Sequence, residues 1–233
     1  MSTRGIFVTG TDTGVGKTVI ACALVRALRD EGARVAVMKP VASGAFQTPE
    51  GLRNTDALAL MQAAGPGYPY VYEDVNPYCF EPAISPHIAA KEAGIDVDTS
   101  MIRQKYDRLA MGVDWVVVEG AGGWFAPINE HQTMADLAWA LAVPALLVVG
   151  LKLGCLNHAL LTRLGVESHG VSFAGWVVSG IDRHMTRVGA NLETLERLLG
   201  QPPLAVVPHR SEGTDAIALS AVARALAQRT ISF

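Results

Sequence analysis

The residues best suited to chemistry lie in one short run, Gly10-Thr11-Asp12-Thr13-Gly14-Val15-Gly16-Lys17-Thr18. A Gly-Lys-Thr that closes a glycine-rich loop, after an apolar strand and before a helix, is the context of a phosphate-binding loop. Successive backbone N–H groups and the helix N-terminus form a cradle for anions, and glycines let the main chain approach the phosphates. Lys17 then reaches the β- and γ-phosphates, and the Thr18 hydroxyl is a ligand for Mg2+. Five residues separate Gly10 from Gly16, where the usual pattern has four. Either the loop is one residue longer, or Thr11 stands in place of the first glycine.

Lys39-Pro40-Val41-Ala42-Ser43-Gly44 follows a second apolar run, and Lys17 and Lys39 are two of only five lysines in the chain. Both sit at the ends of early strands, and in doubly wound folds those carboxyl ends line the ligand crevice. A solvated strand-end lysine is the plain reading of Lys39 in isolation; beside a phosphate loop, contact with the same phosphates takes precedence. Asn54-Thr55-Asp56 opens a helix, so Asp56 is either a cap or first-turn acid, or a metal ligand. Val116-Val117-Val118-Glu119-Gly120-Ala121-Gly122-Gly123 puts a carboxylate at the end of a buried strand. A carboxylate there needs a partner, and Mg2+ is the natural one. Thr18, Asp56 and Glu119 together would make a hard, oxygen-rich Mg2+ site. The six histidines show no metal spacing, and Cys155 has no activating partner visible in sequence.

Positioning these groups requires strands and helices in alternation. Strands are predicted at 6–9, 34–39, 114–119, 145–149, 171–178 and 204–207, and helices at 17–30, 54–64, 87–93, 99–111, 134–141, 156–164, 187–199 and 215–227. Residues 66–87, with five prolines, read as a long surface loop near the site. Continuous apolar strands mean that both sheet faces are covered. The fold class is therefore α/β: one domain over residues 1–233, a doubly wound, mostly parallel sheet flanked by helices, of the P-loop NTPase type.

Composition narrows the function. With 50% hydrophobic and 18% charged residues the 233-residue chain is not disordered, and a net charge of −3 offers no basic stripe for nucleic acid. Three scattered cysteines indicate thiols in a reducing cytosol rather than disulfides or zinc. The N-terminal apolar run is too short for a signal peptide. Residues 134–151 nearly fill a membrane window, but Asp136 and Pro144 favour a buried helix running into a buried strand. A cytoplasmic protein without membrane contact is expected.

Together these segments resemble dethiobiotin synthetase. The resemblance rests on residues 10–18 and 39–44, on Thr48-Pro-Glu-Gly-Leu-Arg-Asn-Thr-Asp-Ala-Leu-Ala-Leu60, Asn76-Pro-Tyr78 and Ser85-Pro-His87, and on Val118-Glu-Gly-Ala-Gly-Gly-Trp124 and Val149-Gly-Leu-Lys-Leu-Gly-Cys-Leu-Asn-His-Ala159. It implies ATP with Mg2+, CO2 or bicarbonate, and 7,8-diaminononanoate as reactants. One amine becomes a carbamate, the carbamate attacks the γ-phosphate, and the second amine displaces phosphate from the mixed anhydride to close the ring. It further implies catalytic roles for Lys17, Lys39 and Thr13, with Ser43 at the carbamate. Gly14, Val15, Gly16, Lys17, Thr18 and Val19 would wrap the phosphates, and Asp56, Glu119, Gly120, Ala121 and Gly122 would join the nucleotide set. Gly154, Cys155, Leu156 and Asn157 would hold the substrate carboxylate from the partner subunit of a homodimer. Ser179 falls where the family carries an adenine-reading Asn, so a relaxed choice of base is expected; Gly180, Pro208, His209 and Arg210 would flank the base.

Two rivals share parts of this pattern. Partner-regulated ATPases that position chromosomes or septa have the same fold, but carry a lysine four residues before the last loop glycine, where this chain has Asp12. Their membrane attachment also needs a basic amphipathic helix, which the C-terminal Ala-Arg-Ala-Leu-Ala-Gln-Arg is not. A small-molecule kinase would need an arginine-rich lid, and no such segment is present.

Overall fold

The computed structural model describes residues 3–66 and 70–209. The helix expected at 215–227, and Arg210, lie outside the described residues.

The chain begins with β1 (Arg4–Gly10), the loop, and α1 (Lys17–Asp30), then β2 (Val35–Met38). Four short pieces follow: β3 (Val41–Ser43), the hairpin β4 (Phe46–Thr48) and β5 (Gly51–Arg53), and α2 (Thr55–Ala64). Next come α3 (Tyr72–Val75), β6 (Tyr78–Phe80), α4 (Pro86–Glu92), α5 (Thr99–Ala110) and β7 (Trp115–Glu119). The last described part is α6 (Met134–Leu141), β8 (Ala145–Leu151), α7 (Cys155–Ser168), β9 (Phe173–Gly180), α8 (Val188–Leu199) and β10 (Ala205–Val207).

Six strands form one parallel sheet in the order β10-β9-β8-β1-β7-β2. The order reverses direction around β1, which places a topological switch point, and hence a ligand crevice, at its carboxyl end. Every residue of β2, β7 and β8 is buried. The two faces of β8 explain why: Leu147, Val149 and Leu151 join Trp176, Val178, Leu195 and Leu199 in one core, whereas Leu146 and Val148 belong to the larger core on the other face. Such strands carry no polar alternation because neither face meets water.

The stretch 66–87 departs from the expected surface loop. Its described part contains α3 and β6, and Tyr72, Val75, Tyr78 and Phe80 are buried. Strand β6 pairs in parallel with β3 in a sheet of its own. Elements of three or four residues between prolines are too short for a periodic signal. The same brevity hid β3, β4 and β5. Strand β9 also runs two residues past the expected end, to Gly180. In the apolar stretch 134–151, α6 ends at Leu141 and is capped by Ala142, in the left-handed region at φ 54°, before β8 begins. Among the described residues, no helix is long and apolar enough to cross a membrane.

The end of β8 is pressed against the loop that follows β1. A Cβ built on Gly150 falls 2.7 Å from Ile181 Cδ1 and 2.8 Å from Val15 Cγ1. Overpacking of this kind costs about 1–3 kcal/mol. Gly150→Ala is therefore expected to lower the melting temperature and, by pushing Val15, to weaken ADP binding. An unchanged melting temperature would show that the contact yields freely.

Candidate active site

The main chain leaves the sheet only after Thr11. The Thr11 N–H donates to Val148 O at 3.0 Å, and the Thr11 hydroxyl accepts from the Gly150 N–H at 3.4 Å. Thr11 thus extends the ladder from the position of the usual first glycine. Beyond it, Gly14 and Gly16 take φ of 73° and 89°, a region that side chains disfavour. Val15 between them is fully buried and anchors the loop from beneath. Helix α1 then starts at Lys17 with no side-chain cap and no acidic residue in its first turn. Its first N–H groups and positive dipole end face the loop, ready for an anion.

Register brings the second lysine to the buried carboxylate. Met38 pairs with Val118, so Lys39 and Glu119 leave adjacent strands side by side. Lys39 Nζ donates to Glu119 Oε1 at 2.7 Å and lies 3.1 Å from Asp56 Oδ2. The Thr18 hydroxyl donates to the same Glu119 oxygen at 2.8 Å. Lys39 and Glu119 are buried, while the Asp56 side chain is 40% exposed. Burial alone would pull the Lys39 ammonium down, but the two carboxylates outweigh it and hold it above its ordinary value. Among the described residues, Lys17 has no carboxylate this close. Its Nζ donates to Asp12 O at 2.9 Å, and burial, with the charge of Lys39 adding to it, brings its pKa down to about 8.

A further ion pair closes the cluster. Lys152 Nζ lies 2.8 Å from Asp12 Oδ2, and that hydrogen bond, with a second from the Thr13 N–H, lowers the Asp12 pKa. Neither residue belongs to the expected set. The signal was present, because Lys152 follows β8 as Lys39 follows β2, and a strand-end lysine at this edge of the sheet reaches the crevice.

The cavity between these groups measures about 370 Å³. Thr13, Gly14, Gly16, Lys17, Thr18, Val19, Lys39, Ser43, Asp56, Glu119, Ala121 and Gly122 line it, as does Asn54. Gly120 contributes its carbonyl, 3.4 Å from Lys39 Nζ. Val15 turns away into the core, leaving only its main chain to the loop. Asn54, rather than Asp56, caps α2: its Oδ1 accepts from the Asp56 and Ala57 N–H groups, and Asp56 is the first-turn acid.

Of the residues expected around the base, Ser179, Gly180, Pro208 and His209 form a second group, at the ends of β9 and β10. Ser179 is buried, and its Oγ lies 2.7 Å from where a Cβ on Gly16 would stand. Gly180 packs against the main chain of Pro208 and His209 so tightly that a Cβ would fall 2.5 Å from the His209 nitrogen. Gly154, Cys155, Leu156 and Asn157, at the start of α7, do not line the cavity of their own chain. Cys155 is buried in the core, while Leu153 beside Gly154 is 95% exposed.

The donors suit a hard cation. Glu119 Oε2 is buried without a hydrogen-bond partner, an arrangement that costs free energy unless something binds there. Two carboxylates and a hydroxyl make an incomplete cage, as expected for Mg2+, which keeps waters and takes its remaining ligands from phosphates. Among the described residues, no group of three or more His, Cys, Asp or Glu side chains forms a self-sufficient metal site.

Comparison with known proteins separates fold from chemistry. The MinD cell division protein of Aquifex aeolicus superposes with a TM-score of 0.63 at 18% identity, covering 98% of this chain and 99% of that one. A ParA family ATPase of Chlorobium tepidum gives 0.56 at 15% identity, covering 99% and 95%. Likeness at such identity shows the P-loop NTPase fold alone. The AAA domain family matches residues 4–216. The ATP-dependent dethiobiotin synthetase of Pseudomonas aeruginosa strain UCBPP-PA14 is 46% identical over 90% of this chain and 92% of its own. That of Escherichia coli O157:H7 is 44% identical over the same shares, and that of Xylella fastidiosa 43% identical over 95% and 97%. Identity of this extent across nearly the whole length, with the phosphate loop and the lysine–carboxylate cluster in place, means that the chain belongs to the dethiobiotin synthetase family.

Proposed function

We propose that the chain converts 7,8-diaminononanoate, CO2 and ATP into dethiobiotin, ADP and phosphate. The observation that carries this reading is the cluster of Lys39, Glu119, Asp56 and Thr18 facing the Lys17 loop across one cavity. A reaction that joins two anions, a carbamate and a triphosphate, needs cationic groups fixed between them before the substrates arrive. Lys17 and Lys39 are fixed in this way.

In the proposed sequence, one amine of the substrate adds to CO2 and loses a proton to give a carbamate. A carbamate oxygen attacks the γ-phosphorus and ADP leaves. The neighbouring amine then attacks the carbamoyl carbon, the C–O bond to phosphate breaks, and the five-membered ring closes. Thr13 and Ser43 hold the carbamate and the phosphoryl group at the mouth of the loop, and the α1 N-terminus holds the remaining phosphates. Thr18, Asp56 and Glu119 would hold Mg2+, which supplies divalent charge against the triphosphate oxygens. Ring closure asks mainly for orientation, since both amines are on one molecule. The exposed Leu153 and Gly154 support a homodimer in which residues 154–157 reach the partner's cavity and meet the substrate carboxylate.

The direct test follows dethiobiotin and phosphate together, omitting the diamine, bicarbonate or MgATP in turn. Both products are expected only in the complete mixture. Phosphate release that ignores the diamine would instead indicate a plain ATPase.

Two site predictions accompany it. Asp56→Asn keeps the Asn54 cap and leaves Glu119 to hold Lys39, so the melting temperature should barely move. The Mg2+ needed for half activity should rise roughly tenfold, the equivalent of about 1.4 kcal/mol. Unaltered Mg2+ dependence would reduce Asp56 to a first-turn acid. As for the base, the one hydroxyl of Ser179 lies against Gly16 and cannot make the two-point pair that an Asn offers adenine. CTP, GTP and UTP should therefore support measurable ring closure, and Ser179→Asn should sharpen the preference for ATP in kcat/KM. Equal strictness in both enzymes would assign base reading to the main chain near Gly180.

A further inference from the structure

The segment Asn76-Pro77-Tyr78 takes no part in the proposed chemistry, yet it lies directly behind it. Asn76 and Tyr72 are buried, as is Asn54. The Asn76 amide donates to Lys39 O at 2.7 Å and to Tyr78 O at 3.1 Å. The Lys39 N–H donates to Val75 O at 2.8 Å, so both polar groups of the Lys39 main chain are held by the α3 turn. The Tyr72 hydroxyl donates to Asn76 Oδ1 at 2.8 Å and accepts from the Asn54 N–H at 2.7 Å. The Asn54 side chain in turn caps the first turn of α2, which carries Asp56, and its amide donates to Ser43 O at 3.2 Å.

One continuous chain of hydrogen bonds therefore runs from the backbone of Lys39 through Asn76, Tyr72 and Asn54 to the backbone of Ser43 and Asp56. We propose that Tyr72 and Asn76 are positioning residues, which set the spacing between the Lys39 ammonium, the Ser43 hydroxyl and the Asp56 carboxylate. This rests on the roles given above to Lys39, Ser43 and Asp56. Three features support it. The three central links, Asn76 to Lys39, Tyr72 to Asn76 and Asn54 to Tyr72, are buried and 2.7–2.8 Å long, and such a network fixes geometry because any break strands a polar group. Burial raises the Tyr72 pKa, so its hydroxyl stays a donor to Asn76 throughout the working pH range. The Arg53 guanidinium lies 4.2 Å from the centre of the Tyr72 ring, which holds the phenol in one orientation. A network serving stability alone would have no need to end on three separate groups of one cavity.

The test is Tyr72→Phe, which keeps the ring and its stacking and removes only the hydroxyl, with Asn54→Ser as a second variant. Serine caps α2 about as well as asparagine but cannot tie Ser43 to the network. Three quantities are measured below the melting temperature of each variant: kcat and KM for the diamine and ATP, and the gain in ADP affinity that Mg2+ gives in calorimetry. Displacing reacting groups by a fraction of an ångström should lower kcat by about tenfold in Tyr72→Phe with KM values little changed. The Mg2+-dependent gain should shrink severalfold in the same variant, and Asn54→Ser should lower kcat without loss of that gain. Folded variants with wild-type kcat and wild-type gain, altered only in melting temperature, would overturn the proposal and leave the network a structural brace. Lys39→Gln and Asp56→Asn are measured in parallel. If they lose activity while Tyr72→Phe does not, only the positioning role fails; if they keep wild-type activity, the assigned roles fail and this inference with them.

Discussion

An ammonium and a carboxylate are buried against each other at the carboxyl end of the sheet, where the more exposed Asp56 also reaches the ammonium. Removing one partner of such a pair leaves an uncompensated charge, at a cost of about 3–5 kcal/mol. Much of the structure follows from keeping Lys39 and Glu119 together. They must leave neighbouring parallel strands in register, which β2 and β7 provide. The strand on the other side of β7 must be β1, whose Val8 pairs with Glu119, so that the phosphate loop opens beside the same carboxylate. Thr18 then reaches Glu119 from the first turn of α1. The pair is thus the point at which three strand ends, one helix and the crevice are fixed to each other.

This dependence explains which parts of the site were legible in the sequence. The loop, Lys39 and Glu119 were, because each ends an apolar run long enough to read as a strand, and strand ends in such sheets share one edge. The central strands could be read for the same reason: runs such as Val116-Val117-Val118 have no polar face to obscure them. Asp12 with Lys152 escaped notice because the two lie 140 positions apart and meet only when β1 and β8 pair. Tyr72 escaped it, and Asn76 was visible only as part of Asn76-Pro77-Tyr78, because they belong to α3 and its end, a single turn among prolines. Nothing periodic distinguishes that turn from a loop, although the structure buries it beneath the site. The cap of α2 was visible as Asn54-Thr55-Asp56, but only the folded structure shows that Asn54 makes it and leaves Asp56 to face Lys39.

Fold and chemistry separate at identifiable residues. The chain superposes on the MinD cell division protein and on a ParA family ATPase along almost its entire length. The charged groups of this chain are carried by the loops at one edge of the sheet: Asp12 in the phosphate loop, paired with Lys152, and the Lys39–Glu119–Asp56 cluster. A shared framework sets where a triphosphate lies; side chains at the strand ends decide what is brought to meet it.

The contact between Ser179 and Gly16 has an evolutionary reading. The space that a side chain at position 16 would need is already filled by the Ser179 hydroxyl, so the two positions, on different elements, compete for one small volume. Substitutions there are not independent. A larger residue at 179 is tolerated only while 16 stays bare, and the loop glycine answers to this neighbour as well as to its own left-handed backbone. An exchange at position 179, near the end of β9, is in this way coupled to the phosphate loop, and its effect depends on the loop background in which it arises.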